Sequence, residues 1–217
     1  MSYISVIHPT RERPEMAIKV REAFLSRAKR PGNVEYIFGF SEDDEGSKKL
    51  IGFDHVITPK RDDGLPTTVQ NSNAAFSKSV GKVIVFGADD IDPPEDWDTS
   101  IIEDIPDPSQ PVVLAVGDGC RGDGLLTHPV FTRVVPGLLG LNENEMFSGE
   151  YDHLYVDREF THRANKLGII KRTKLTFNHM HPFFGKGQMD NVYALGNNNE
   201  SYIRGERIFR RRNPDAP

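Results

Sequence analysis

The sequence has one cysteine, Cys120, among 217 residues, which excludes an intramolecular disulfide and any zinc site built from several thiolates. Nothing beside Cys120 resembles an activating pair, so it reads as a packing thiol rather than a nucleophile. Long apolar runs are missing as well. No segment approaches the ~20 residues that span a bilayer, and the first residues lack a basic stretch followed by an apolar one. The expectation is a cytoplasmic protein without a transmembrane segment. Excess positive charge is also absent: 27 Lys and Arg stand against 32 Asp and Glu, a net charge of −5. That balance argues against nucleic-acid binding over the whole surface, which needs clustered bases. The glycine-rich stretch 117–124 has neither Walker spacing nor an adjacent Lys-Ser or Lys-Thr, and it reads as a turn.

What is present suits one large globular domain, with 37% hydrophobic and 27% charged residues. Acids concentrate at 41–45 and 89–107, bases at 158–174 and in the tail 204–212. Such runs are most often solvated faces, and the tail is the one suited to a phosphate-bearing partner. There is no internal repeat.

Residues 3–8 form a β-rich run closed by Pro9-Thr10, and a helical pattern follows to about Lys29, with Met16, Val20, Ala23, Phe24 and Ala28 on one face. A strand at 34–40 runs into the acidic loop 41–46. A short helix at 47–51 then leads to a strand at 54–58. A helix at 67–80, with Val69, Ala74, Phe76 and Val80 facing inward, leads to the strand 82–86. Three strand-then-helix alternations predict an α/β fold whose sheet starts parallel, with right-handed crossovers. Further on, the pattern predicts a helix at 95–102, a buried strand at 111–116, a helix at 152–166 stopped by Leu167-Gly168, and a strand at 169–174 that continues to Pro182. Residues 185–199 are rich in Gly and Asn and read as a mobile loop, before a last basic helix at 202–212. The expected organisation is a catalytic unit at 1–182 followed by this loop and basic tail at 183–217.

The stretch that points to chemistry is Val83-Ile84-Val85-Phe86-Gly87-Ala88-Asp89-Asp90-Ile91-Asp92, a buried strand ending in three acids. Hard divalent cations prefer oxygen ligands, and ligands of open α/β sheets collect at the carboxyl ends of strands. His179 and His181, two apart on a strand, share one face.

Several stretches together resemble the GT-A glycosyltransferases, in particular the inverting family-2 type. Pro9-Thr10-Arg11-Glu12-Arg13 is similar to that family's opening Pro-Thr-x-Asn-Arg turn. Asn73, Gly81 and Asp89-Asp90 are similar to its Asn helix, Gly-Glu turn and Asp-x-Asp-Asp run. Asp157-Arg158-Glu159-Phe160-Thr161-His162-Arg163, with Gly168 beyond, is similar to its Glu-Asp-x-x-Leu-x-x-Arg-x-x-x-x-Gly helix. The likeness covers residues 3–181. Gly87 departs from it where the first Asp of the Asp-x-Asp would stand, and Val156 departs where Glu is common.

The resemblance implies a single GT-A-like domain, Rossmann-related, with a central mixed, mostly parallel sheet between helices. It implies transfer of a sugar from a nucleotide-diphospho-sugar, UDP foremost, to an acceptor hydroxyl with inversion. Mn²⁺ or Mg²⁺ would be held by Asp89 with Asp90, and by His179 or His181. Thr10, Arg11 and Arg13 would contact ribose or phosphate, together with Ala88 and Asp89. Asp43 or Asp44 would read the base, and Arg61 and Asn73 would complete the nucleotide pocket. Asp157 is the implied base, with Glu159, Glu150 and Asp152 as rivals; its place at a helix start favours an ionised carboxylate. The acceptor stays open among glycans, small molecules and, through the basic tail, modified nucleic acid. Competing readings are a nucleotidyltransferase, a metal-dependent phosphohydrolase and a nucleotide-sugar-binding protein without turnover.

Overall fold

A computed structural model describes residues 3–216. The apolar run that begins the chain becomes strand β1 (Ile4–Pro9), buried along its whole length. It lies in the interior of a seven-stranded sheet, with parallel neighbours β2 (Val34–Ser41) and β4 (Val83–Phe86). Strand β3 (His55–Thr58) extends the parallel half beyond β2. On the other side β7 (Val130–Thr132) pairs antiparallel with β4 and with β6 (Val113–Gly117), and β6 carries β8 (Ile170–Thr176) parallel at the edge. The order β3-β2-β1-β4-β7-β6-β8 is therefore mixed and mostly parallel. A separate two-stranded ladder joins β5 (Ile91–Asp92) to β9 (Asn178–His179), with Ile91 opposite His179.

Alternation along the central strands sends side chains to two cores. On one face Ile4, Val6, Tyr36, Phe38, Val83 and Val85 pack under helix α1 (Pro14–Ser26) and helix α3 (Trp97–Asp104). On the other, Ile7, Ile37, Ile84 and Phe86 meet helix α2 (Thr68–Lys78) and helix α5 (Val156–Lys166). The short helix α4 (Val135–Leu138) lies on this second side. Gly81 shows how closely β1 and the turn into β4 approach: a Cβ there would fall 2.3 Å from Ser5 Oγ, which itself accepts the Gly81 N–H. No larger residue fits that turn.

Three expectations need correction. Met16 and Val80 are exposed; α1 instead turns Ala17 inward with Val20 and Phe24, Ala28 is buried just beyond it, and α2 stops at Lys78, before Val80. Helix α5 starts at Val156, not at 152, because Tyr155 has a left-handed φ of 70° and breaks the preceding turn. The stretch 185–199 is not simply a loop. After a 3₁₀ turn at Pro182–Phe184 it forms helix α6 (Asn191–Gly196), capped by the Asp190 side chain on the Tyr193 N–H. The final helix α7 (Asn199–Arg212) begins at an Asn198 cap and buries Ile208 and Phe209 in the second core, so it belongs to the same packed unit. No helix of the described residues is long and apolar enough to cross a membrane.

Candidate active site

The sheet order reverses between β1 and β4, and a cavity of about 450 Å³ opens at their carboxyl ends, within the usual range for small-molecule sites. Strand β1 delivers Thr10, Arg11 and Arg13 to its wall; β4 delivers Ala88, Asp89 and Asp90; the first turn of α5 delivers Asp157; β9 and the following turn deliver His179 and His181. Residues as far apart in sequence as Thr10 and His181 are joined here because the parallel strands release their chains at one edge.

The two adjacent acids have different partners. Asp89 Oδ1 lies 2.9 Å from His8 Nε2, and its Oδ2 lies 3.9 Å from the Arg13 guanidinium. Asp90 Oδ2 lies 3.0 Å from His179 Nε2 and accepts the Tyr193 hydroxyl. Burial alone would push the Asp90 carboxyl up, but the His179 contact and its neighbours hold it well below the usual carboxylate range. Arg13 is paired with Asp190 and lies 4.0 Å over the Tyr193 ring; burial opposes its charge, and the surrounding carboxylates raise its pKa and keep it protonated.

At the other wall, burial raises the pKa of Asp157, against the Arg158 N–H that its Oδ1 accepts at 2.8 Å. The adjacent Tyr155 in the left-handed region, and Glu12 likewise at φ 55° in the turn after β1, put unusual backbone beside both ends of the cavity. Arg121 also lines this wall and pairs with Asp123.

The rivals to Asp157 are engaged elsewhere. Glu159 is buried, receives Arg212 Nε at 3.0 and 3.1 Å and Arg163 at 2.6 Å, and does not line the cavity. Glu150 pairs with Arg211 and Arg212, and Asp152 receives Arg204 Nε at 2.6 Å. These contacts also change the reading of the basic tail: Arg204, Arg210, Arg211 and Arg212 each have a carboxylate partner within the fold. Asn73 is likewise spent, accepting Met146 N and Phe147 N and donating to Phe147 O, which fastens α2 to that segment. Arg61 turns back on Asp63 and does not line the cavity. Asp44 is fully buried, its two oxygens accepting the Glu12 and Ser47 N–H groups, so it shapes the turn and is not free to read a base. Asp43 remains exposed, paired with Arg11, which lowers its pKa to about 2.

Residues absent from the sequence reading complete the site. His8 and Tyr193 hold the two acids, Asp190 holds Arg13, and His128 lines the cavity with its ring 4.6 Å from that of His179. A polar residue ending an otherwise apolar strand was the available signal for His8. Tyr193 had none.

The donor set suits a divalent ion in one respect and not in another. Carboxylate and imidazole stand together at Asp90 and His179, and the buried nitrogens of His128 and Nδ1 of His179 have no hydrogen-bond partner, as expected where a ligand is to be received. Among the described residues, however, no three His, Cys, Asp or Glu side chains are set to hold a metal by themselves. The donor set is therefore incomplete for a divalent ion unless other ligands join it.

No family model matches the chain, and no curated relative does. Solved structures do match in fold, and the fold they share is that of the GT-A glycosyltransferases. S. aureus TarS 1-349 in complex with UDP-GlcNAc aligns over 99% of this chain and 67% of its own, at 14% identity and TM-score 0.69. The mannosyltransferase PcManGT from Pyrobaculum calidifontis, in complex with GDP-Man and Mn²⁺, aligns over 99% and 75% at 12% identity and TM-score 0.61. Glucosyl-3-phosphoglycerate synthase from Mycobacterium tuberculosis, with Mn²⁺, UDP and glucosyl-3-phosphoglycerate, aligns over 98% and 79% at 14% identity and TM-score 0.58.

Proposed function

We propose that this chain is a glycosyltransferase that moves a sugar from a UDP-sugar to an acceptor hydroxyl with inversion. The observation that carries the reading is a single cavity holding the Asp89-Asp90 pair, the Arg13 cation and the Asp157 carboxylate at the β1–β4 edge. The diphosphate lies against Arg13, whose guanidinium offsets the charge left when the anomeric bond breaks. Asp157 takes the acceptor proton, and the burial that raises its pKa makes it a stronger base than an exposed Asp. Attack from the face opposite the diphosphate inverts the anomeric centre. Asp43, in the turn after β2, reads the uracil N–H in the role Asp44 cannot fill.

Mn²⁺ or Mg²⁺ would be held by Asp90 and His179, with His181 beside them, and when bound would add Lewis-acid neutralisation of the diphosphate. Donor entry requires that residues 182–196 move, since Tyr193 caps Asp90 and Asp190 engages Arg13; this segment acts as the lid. Pairing of four of the five α7 arginines, all but Arg207, favours an uncharged acceptor, a glycan or small molecule, over nucleic acid.

A thermal-shift screen of UDP-, GDP-, CDP- and dTDP-sugars, with and without Mn²⁺, tests the reading. A metal-dependent upward shift with a UDP-sugar is expected. No shift with any of them would end it.

A further inference from the structure

Asp89 stands two residues beyond a glycine, Gly87, where the glycosyltransferase resemblance places a carboxylate. A Cβ built on Gly87 would lie 3.7 Å from the His8 Cβ and 3.3 Å from Val6 Cγ1, so the space beside Gly87 is bordered by the His8 side chain. His8 itself is fully buried at the carboxyl end of β1, in a strand whose other inward residues are mainly aliphatic. A buried imidazole needs partners on both nitrogens. It has them: the Tyr36 hydroxyl is 2.6 Å from Nδ1, and Asp89 Oδ1 is 2.9 Å from Nε2.

We infer that His8 and Tyr36 form a positioning relay that aims Asp89 into the donor site. The direction of the hydrogen bonds follows from the two ends. Asp89 as a carboxylate only accepts, so Nε2 must carry a hydrogen. Tyr36 keeps its proton, since burial and the nearby Asp89 charge both push its pKa well up, and toward a neutral imidazole its hydroxyl donates to Nδ1. The imidazole is thus fixed as the Nε2–H tautomer, and one Asp89 oxygen is anchored. The other faces Arg13 and the cavity. Ring packing holds the imidazole in plane: Phe38 lies 5.2 Å away and Tyr36 5.7 Å, centroid to centroid. Residues that orient a functional side chain in this way typically change affinity or activity by about 10–100-fold when removed.

The inference rests on the proposed donor site, and the experiment separates the two. UDP-sugar affinity in the presence of Mn²⁺ would be measured by calorimetry for the wild type, His8→Ala, His8→Gln and Tyr36→Phe, with the thermal midpoint of each. His8→Ala should weaken donor binding by at least about 10-fold. His8→Gln, whose amide can still donate to Asp89, should recover part of that loss. Tyr36→Phe should fall between wild type and His8→Ala, and in ¹⁵N–¹H spectra it should disturb the Nε2–H pattern seen in the wild type. If Ala and Gln variants bind the donor equally, or all variants bind within twofold of wild type, the relay is refuted. If the wild type binds no nucleotide sugar, the donor-site reading itself fails.

Discussion

Replacing Glu159 by Gln should cost stability and leave donor binding intact. The carboxylate is almost wholly buried and receives two guanidiniums, Arg163 at 2.6 Å and Arg212 at 3.0 Å. Removing one member of a buried ion pair costs roughly 3–5 kcal/mol, because its partner charge remains desolvated. Here the loss is smaller: Arg212 keeps Glu150, and the side chains of Arg163 and Arg212 are 23% and 18% exposed, so water screens both. About 2 kcal/mol remains, and for a chain of this size that is a fall of about 4–8 °C in Tm. Differential scanning calorimetry on Glu159→Gln, with UDP-sugar titration on the folded protein, measures both quantities. A variant with unchanged Tm and abolished sugar transfer would refute the assignment of Glu159 to the α5–α7 junction and restore it as a base.

Asp157→Asn should keep or slightly raise stability near pH 7. The folded Asp157 pKa is raised by burial, so the folded state holds its proton more tightly than the unfolded state; stability therefore falls as pH rises from the ordinary Asp value through the raised one. Denaturation midpoints of wild type and Asp157→Asn between pH 3 and 7 should diverge in that direction, and an opposite slope would contradict the raised pKa. Tyr193→Phe removes the hydroxyl that Asp90 accepts and should loosen residues 182–196, seen as faster amide exchange there with little change at β1 or β4. Exchange unchanged in that segment would show that the contact does not hold it.

Much of the fold was legible because apolar runs alternate with helical periodicity and each run ends in a polar turn. Residues 83–92 declared a buried strand with acids at its exit, and the strand forms with Asp89 and Asp90 at the cavity, while Asp92 pairs with Arg27. The helix at Asp157 was legible in type and not in start, because the residues before it carry no Gly or Pro to mark the break that Tyr155 makes with its backbone. Residues 185–199 misled through composition, although Asp190 and Asn198 were N-cap signals in plain view. Asp44, Asn73 and Glu159 show the deeper limit. Each is a residue type suited to a site, and each is consumed by partners 32, 74 and 53 positions away that no local pattern announces. His8 shows the converse: a polar residue near the end of a mostly apolar strand looks incidental until the fold brings Tyr36 and Asp89 to its two nitrogens.

The central claim is that Asp157 is the base that takes the acceptor proton beside a bound UDP-sugar. The most direct test compares wild type and Asp157→Asn for donor affinity by calorimetry, and for release of UDP and free sugar when water serves as acceptor. The account predicts equal affinity within about threefold and turnover lower by roughly 10²–10⁴-fold in the variant. Equal turnover at equal affinity would contradict it.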